Sequence, residues 1–148
     1  MTVEGGTLDD WRKLSVFHYR SHNVGARRDI FSIRRRGELC GVIVYCYPPP
    51  NCAGRGQVLP KMPIRDLNKQ LSIISRIVVH PKYRTIGLGE KLIRESLPLI
   101  HTPYVEMIAV MPKYNPFAER AGMRKVSVHG PPKEAFCLLY TSPSPRDS

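Results

Sequence analysis

The sequence predicts an α/β chain: a central mixed sheet with helices on both faces. Three observations predict it. Helix-period segments alternate with strand-like runs through the second half of the chain. An antiparallel hairpin pattern, turning at Arg36-Gly37, stands ahead of them. The apolar runs 71–80 and 104–111 flank a single helix, which calls for a right-handed parallel crossover.

The elements follow in chain order. "TLDDWRKLSVFHYRSHN" predicts a helix, with Thr7 as N-cap and Asp9 and Asp10 at the positive end of its dipole. Trp11, Leu14 and Val16 to Tyr19 supply its apolar stripe. "DIFSIRRRG" and "ELCGVIVYCY" form the hairpin; the second is rich in β-branched and aromatic residues. "PPPNCAGRGQVLPKMP" is a long irregular loop, because three prolines in a row cannot continue a central strand. Leu71 to Pro81, "LSIISRIVVHP", is a buried strand. In "GEKLIRESLPLI", Leu88, Leu92 and Leu99 share one helical face. Glu90 and Arg94 stand one turn apart there, and Pro98 ends or kinks the helix. Tyr104 to Met111 is a strand, "NPFAERAG" a short helix with Gly122 at C′, and "MRKVSV" a further strand.

The 148 residues fit one domain with a sizeable core. The N-terminus lacks a signal-peptide pattern and no apolar run spans about 18 residues, so a cytoplasmic location and no membrane contact are expected. The four cysteines show no metal spacing and are read as reduced, with no metal cofactor. A net charge of +11 favours an anionic partner: nucleic acid, an acidic protein or a phosphate-bearing cofactor. A solvated basic face is the plainer reading of Arg27-Arg28 and Arg34-Arg35-Arg36.

The dodecamer "CLLYTSPSPRDS", Cys137 to Ser148, breaks the pattern. It resembles a sequencing adapter translated in one reading frame, which would make it a read artefact. A native Ser/Pro-rich terminus is the other reading. On the first, one domain spans 1–136, residues 137–148 are a non-native tail, and the last strand is truncated. Independent reads of the locus should then lack this dodecamer; finding it in uninterrupted genomic sequence would refute the artefact.

"HPKYRTIGLGEKL" carries the chemistry. A strand ends at Pro81 and a helix starts near Gly87. Helix N-termini expose unpartnered N–H groups and about half a positive charge, which makes an anion site. Gly87 and Gly89 let the backbone approach a pyrophosphate, and Arg84 adds a planar cation. The spacing fits neither a Walker A loop nor G-x-G-x-x-G. From spacing alone, phosphate cradle and glycine-assisted turn both stay open.

"IVVHPKYRTIGLGEKLI", followed by "YNPFAERAGM", resembles the GNAT N-acetyltransferase superfamily. Val79, Pro81, Arg84, Gly87 and Gly89 match its V-x-P-x-x-R-x-x-G-x-G pattern; Asn115, Phe117, Gly122 and Met123 match the later helix. The region from hairpin to motif is also similar to acetyltransferase-like domains attached to ABC-type ATPases. The resemblance implies acetyl-CoA as co-substrate and a primary amine as acceptor, whether small molecule, protein or RNA-associated. It implies a pyrophosphate loop over Arg84, Thr85, Ile86, Gly87, Leu88 and Gly89. Ile77, Val78 and Val79 would pair with the pantetheine arm where two parallel strands splay, and Asn115 would lie near that arm. The Val79 N–H would polarise the acyl carbonyl.

Catalytic help is the thinner part. Many members carry a Tyr where this chain has Ala118, so the usual thiolate protonator is missing. Tyr114 is the substitute candidate, Glu106 the candidate proton relay, and His80 a titratable side chain nearby. Two other classes stay open. One is a non-catalytic acyl-CoA-binding or regulatory module, as a fragment of a larger ATPase-linked protein. The other is a basic nucleic-acid-binding domain, which would need exposed aromatics among its arginines.

Overall fold

A computed structural model of the chain describes residues 2–16, 27–48, 62–110, 117–129 and 135–141, excepting the side chains of 84–86, 108–110, 117–118, 125–129 and 135–139. Among the described residues, seven strands form one sheet in the order β1-β2-β3-β4-β5-β7-β6. They are β1 (Val3–Gly5), β2 (Arg27–Arg35), β3 (Glu38–Cys46), β4 (Leu71–Val79), β5 (Tyr104–Val110), β6 (Arg124–His129) and β7 (Ala135–Thr141). The described α-helices are α1 (Leu8–Ser15), α2 (Ile64–Gln70), α3 (Leu88–Ser96) and α4 (Phe117–Arg120). The β4–β5 pair is parallel and the other neighbours are antiparallel, so the expected mixed α/β architecture is observed.

Strand β3 sits centrally and is buried from Cys40 to Cys46. Its alternation decides which helix covers which face. Val42, Val44 and Cys46 meet Trp11 and Leu14 of α1, while Ile43 and Tyr45 meet Leu92 and Ile93 of α3. Cys40 joins the α3 side although its parity is that of Val42. The cause is a bulge: Ile33 faces Gly41 and Arg34 faces Leu39, so Cys40 is an extra residue and the alternation flips. Arg36 (φ 51°) and Gly37 (φ 81°) both turn left-handed, as a two-residue hairpin requires.

Helix α1 is shorter than its sequence pattern. It ends at Ser15, and Val16, expected in the apolar stripe, is 70% exposed. Residues 17–19 of that stripe lie outside the described part of the chain. The start is as expected and stronger. Asp10 N–H donates to Thr7 Oγ1 (3.2 Å), and Thr7 N–H donates to Asp10 Oδ2 (3.0 Å). The other Asp10 oxygen accepts from Arg34 at 2.6 Å, tying the helix to β2. Asp10→Ala should therefore lower stability by about 2–3 kcal/mol, a cap plus a part-buried ion pair. Urea unfolding checks this; a loss below about 1 kcal/mol would mean that the carboxylate only caps the helix.

Several expectations are corrected by packing. Strand β1 and helix α2 were not legible. Leu99 is 48% exposed, because α3 ends at Ser96 and the 3-10 turn Leu97–Leu99 rotates it off the face shared by Leu88 and Leu92. Strand β7 lies between β5 and β6 and takes Cys137–Thr141 from the dodecamer. The sheet thus has a strand in that place; backbone pairing is indifferent to side-chain identity, so it leaves the origin of these residues to the gene sequence.

Candidate functional site

The site begins where the two parallel strands part. Strand β4 pairs with β5 at Leu71–Tyr104, Ser72–Val105 and Ile73–Glu106, and no further. Strand β4 then continues to Val79 against β3 alone, while β5 follows β7. Local chemistry drives the parting. Val44 faces Arg76 and Tyr45 faces Ile74, so Ser75 is an extra residue that bends β4 just past its last pairing. His80 N–H donates to the Cys40 carbonyl (2.8 Å), which fixes the phase of the β3–β4 ladder. By antiparallel alternation, Arg76 and Val78 bond toward β3, and the peptide groups of Ile77 and Val79 turn toward the gap.

At the far end of β4 lies the glycine loop. It is a 3-10 turn over Pro81–Ile86, followed by Gly87 in the left-handed region (φ 73°, ψ 24°) as N-cap of α3. The expected plain loop is therefore helical, because Pro81 presets φ and His80 Nδ1 accepts the Lys82 N–H at 3.1 Å. That bond gives His80 a capping task. Tyr83 anchors the loop: it is buried, belongs to the α3 core, and its ring meets His80 edge-on at 6.0 Å. Burial first, then the nearby Glu38 carboxylate, raises its phenol above the ordinary range. Leu88 is buried beside it, while a Cβ built on Gly87 would meet no atom within 4 Å. The loop thus has an anchored inner side and an open outer one. Its φ favours glycine and its open space fits a bulky anion at the first turn of α3.

Glu106 stands at the apex of the gap and is 2% exposed. It shares a row with Cys46 and Ile73, whose side chains face α1. Arg76 projects from the same face, on the bent half of β4 and opposite Val44. Burial raises the Cys46 thiol, opposed by a hydrogen bond from Ser75 and by the Arg76 charge. Arg76 Nη1 donates to the Ser75 carbonyl at 2.9 Å.

The α4 side is tied to the loop helix. Glu90 pairs with Arg94, as its spacing predicts, and also with Arg120 of α4 at 2.6 Å. The Arg120 bond is the main cause lowering the Glu90 carboxyl, partly opposed by desolvation. This link holds above the ordinary carboxylate pKa and loosens as pH falls through the lowered value.

The structure thus brings together Ile77, Val78, Val79, Gly87, Leu88 and Gly89 along one strand and one helix start. Val78 turns its side chain to the α1 core, so only its main chain runs along the gap. The backbone of Arg84, Thr85 and Ile86 forms the 3-10 turn, but their side chains lie outside the described part. Tyr114 and Asn115 lie outside the described residues. The sequence reading missed Ser75, Arg76 and Tyr83. A lone Ser-Arg inside an apolar strand run was the available signal for the first two; nothing marked Tyr83 as an anchor. Among the described residues, no three His, Cys, Asp or Glu side chains gather as a metal site, and no helix is long and apolar enough to cross a membrane.

No protein-family model matches the sequence, and no curated protein does. Solved structures do. A Bacillus subtilis acetyltransferase in complex with CoA superposes with a TM-score of 0.67 at 14% identity, over 95% of this chain and 97% of that one. An IAA acetyltransferase from Bacillus cereus gives 0.67 at 13% identity, over 95% and 98%. A GNAT family acetyltransferase from Elizabethkingia anophelis with acetyl-CoA bound gives 0.65 at 11% identity, over 95% and 97%. Likeness at such identities speaks for architecture, and with the β4–β5 parting on the page the conclusion is that this chain has the fold of the GNAT acetyltransferases.

Proposed function

We propose that the protein is an N-acetyltransferase that moves an acetyl group from acetyl-CoA directly to a primary amine. The observation that carries this reading is the gap opening after Ile73 and Glu106, in line with the glycine-capped start of α3. Two of the similar structures contain CoA or acetyl-CoA, which supports the same donor here.

The donor supplies a thioester: the amine nitrogen bonds its acyl carbon, the C–S bond breaks, and CoA leaves as a thiol. The chain's residues hold and orient. Main-chain N–H groups from Arg84 to Gly89 receive the pyrophosphate, with the α3 dipole behind them. Ile77 to Val79 take the pantetheine arm as an added strand, and Ile77 turns its peptide group to it. Asn115 is assigned to the same arm. Fixing both reactants supplies most of the rate. Glu106 takes the ammonium proton so that a neutral amine attacks, and Tyr114 returns a proton to the thiolate. The acceptor enters from the α1 face, where Glu106 points.

A second reading, a non-catalytic acyl-CoA-binding module in a larger ATPase-linked assembly, is favoured by Ala118, whose methyl group cannot donate a proton. Calorimetry with acetyl-CoA followed by a thiol-release assay on an amine panel separates the two. Micromolar binding with turnover is expected. Binding without thiol release from any amine supports the module, and no binding removes both.

A further inference from the structure

We infer that the chain holds a second ligand site, remote from the glycine loop, and that its ligand is a small dicarboxylic amino acid. A cavity of about 390 Å³ opens beside the start of β4, lined by Arg28, Asp29, Asn68, Lys69, His101 and Thr102. Ligand pockets span roughly 300–1,000 Å³, so this one suits a small molecule. The length of β4, roughly 26 Å over eight strand steps, separates it from Val79 and the loop beyond.

A bulge in β2 gives the cavity its charges. Arg27 faces Cys46 and Asp29 faces Tyr45, so Arg28 is an extra residue. Strict alternation would send Arg28 and Asp29 to opposite faces; here both line one cavity. The Arg28 guanidinium is drawn away from Asp29, over the Tyr47 ring at 4.1 Å from its centroid, to reach α2 and β4. Nη1 donates to the Leu71 carbonyl (3.0 Å) and to Ser72 Oγ (2.7 Å), and Nη2 donates to the Asn68 carbonyl. Ser72 Oγ shares a further hydrogen bond with Thr102 Oγ1 (2.9 Å), which ties β4 to the approach to β5. These acceptors are all neutral. Three of the five guanidinium N–H groups are thus used, and two, on Nε and Nη2, have no acceptor among the described residues. Among those residues Arg28 has no ion pair, and the side chains of Asp29 and Lys69 have neither an ion pair nor a hydrogen bond.

The cavity therefore presents two cations and one anion that no neighbouring charge answers. Two carboxylates and one ammonium on one small molecule answer all three. The α-carboxylate and α-ammonium are adjacent groups, as Arg28 and Asp29 are adjacent residues. The free N–H groups of Arg28 suit the carboxylate, and Asp29 takes the ammonium. The distal carboxylate then meets Lys69 on α2. A plain dicarboxylate or a phosphate would meet the same cations but set a like charge beside Asp29.

Calorimetry on the whole chain without acetyl-CoA tests this, with glutamate and aspartate beside glutarate, which lacks the ammonium, glutamine, which lacks the distal carboxylate, and inorganic phosphate. One of the two acidic amino acids should bind at millimolar concentration or tighter and raise the thermal unfolding midpoint. Glutarate, glutamine and phosphate should each bind about ten-fold more weakly than glutamate, as for one charged hydrogen bond lost. Asp29→Asn should erase the preference for glutamate over glutarate, and Lys69→Gln the preference for glutamate over glutamine. The unfolding midpoint of each variant without ligand checks that it is folded; Arg28, tied into the fold by three bonds, is left in place. No binding of either amino acid overturns the inference. Either preference surviving in its variant overturns it too, because the amino acid then binds elsewhere. Phosphate or glutarate binding as well as glutamate would make this a simple anion site and overturn the ligand class.

Discussion

Gly87→Glu should abolish acetyl-CoA binding while the chain stays folded. Gly87 has φ 73°, where a side chain costs about 1–2 kcal/mol, and that part is common to any substitution. Its Cβ position is open, so the new side chain meets no protein atom within 4 Å and the core is not disturbed. The carboxylate would instead occupy the space assigned to the pyrophosphate. Two like charges about 4 Å apart at a protein surface cost about 4 kcal/mol, or roughly a thousand-fold in affinity. Gly87→Ala is the control: it carries the backbone strain without the charge, and should weaken binding far less. Calorimetry on both variants, beside thermal unfolding, decides the matter. Wild-type affinity in Gly87→Glu would move the anion site elsewhere.

Glu106→Gln should cost roughly a hundred- to ten-thousand-fold in turnover, the usual range for a lost general base, with acetyl-CoA affinity unchanged. The amide has the shape of the acid, so the packing at this buried position is kept. Turnover in the variant should climb with pH until the acceptor amine loses its own proton, because no side chain then takes it. Rates within about three-fold of wild type would reduce Glu106 to a structural group at the strand crossing. An unfolding midpoint measured on the same samples guards against an indirect loss.

How much of this was legible follows from how local each cause is. The hairpin was legible because a two-residue left-handed turn needs Arg36-Gly37 and only those two residues. The place of the loop was legible because Pro81 presets its own φ and Gly87 can take the left-handed φ that starts α3, although its 3-10 form was not. Val16 and Leu99 misled because a periodic stripe says which face is apolar, not where the neighbouring element ends. Cys40 shows the same limit: its parity places it with Val42, and a bulge in the pairing with β2 sends it to the opposite face.

The sequence by itself determined the order of α1, the β2–β3 hairpin, β4, α3, β5, α4 and β6, and the glycine at the start of α3, each set by residues close together in the chain. Only the tertiary structure decided where β4 leaves β5, that Glu106 closes the gap, and that Arg76 shares its face. These depend on a pairing register between strands separated by a whole helix, and a single extra residue in that register reverses every side chain beyond it.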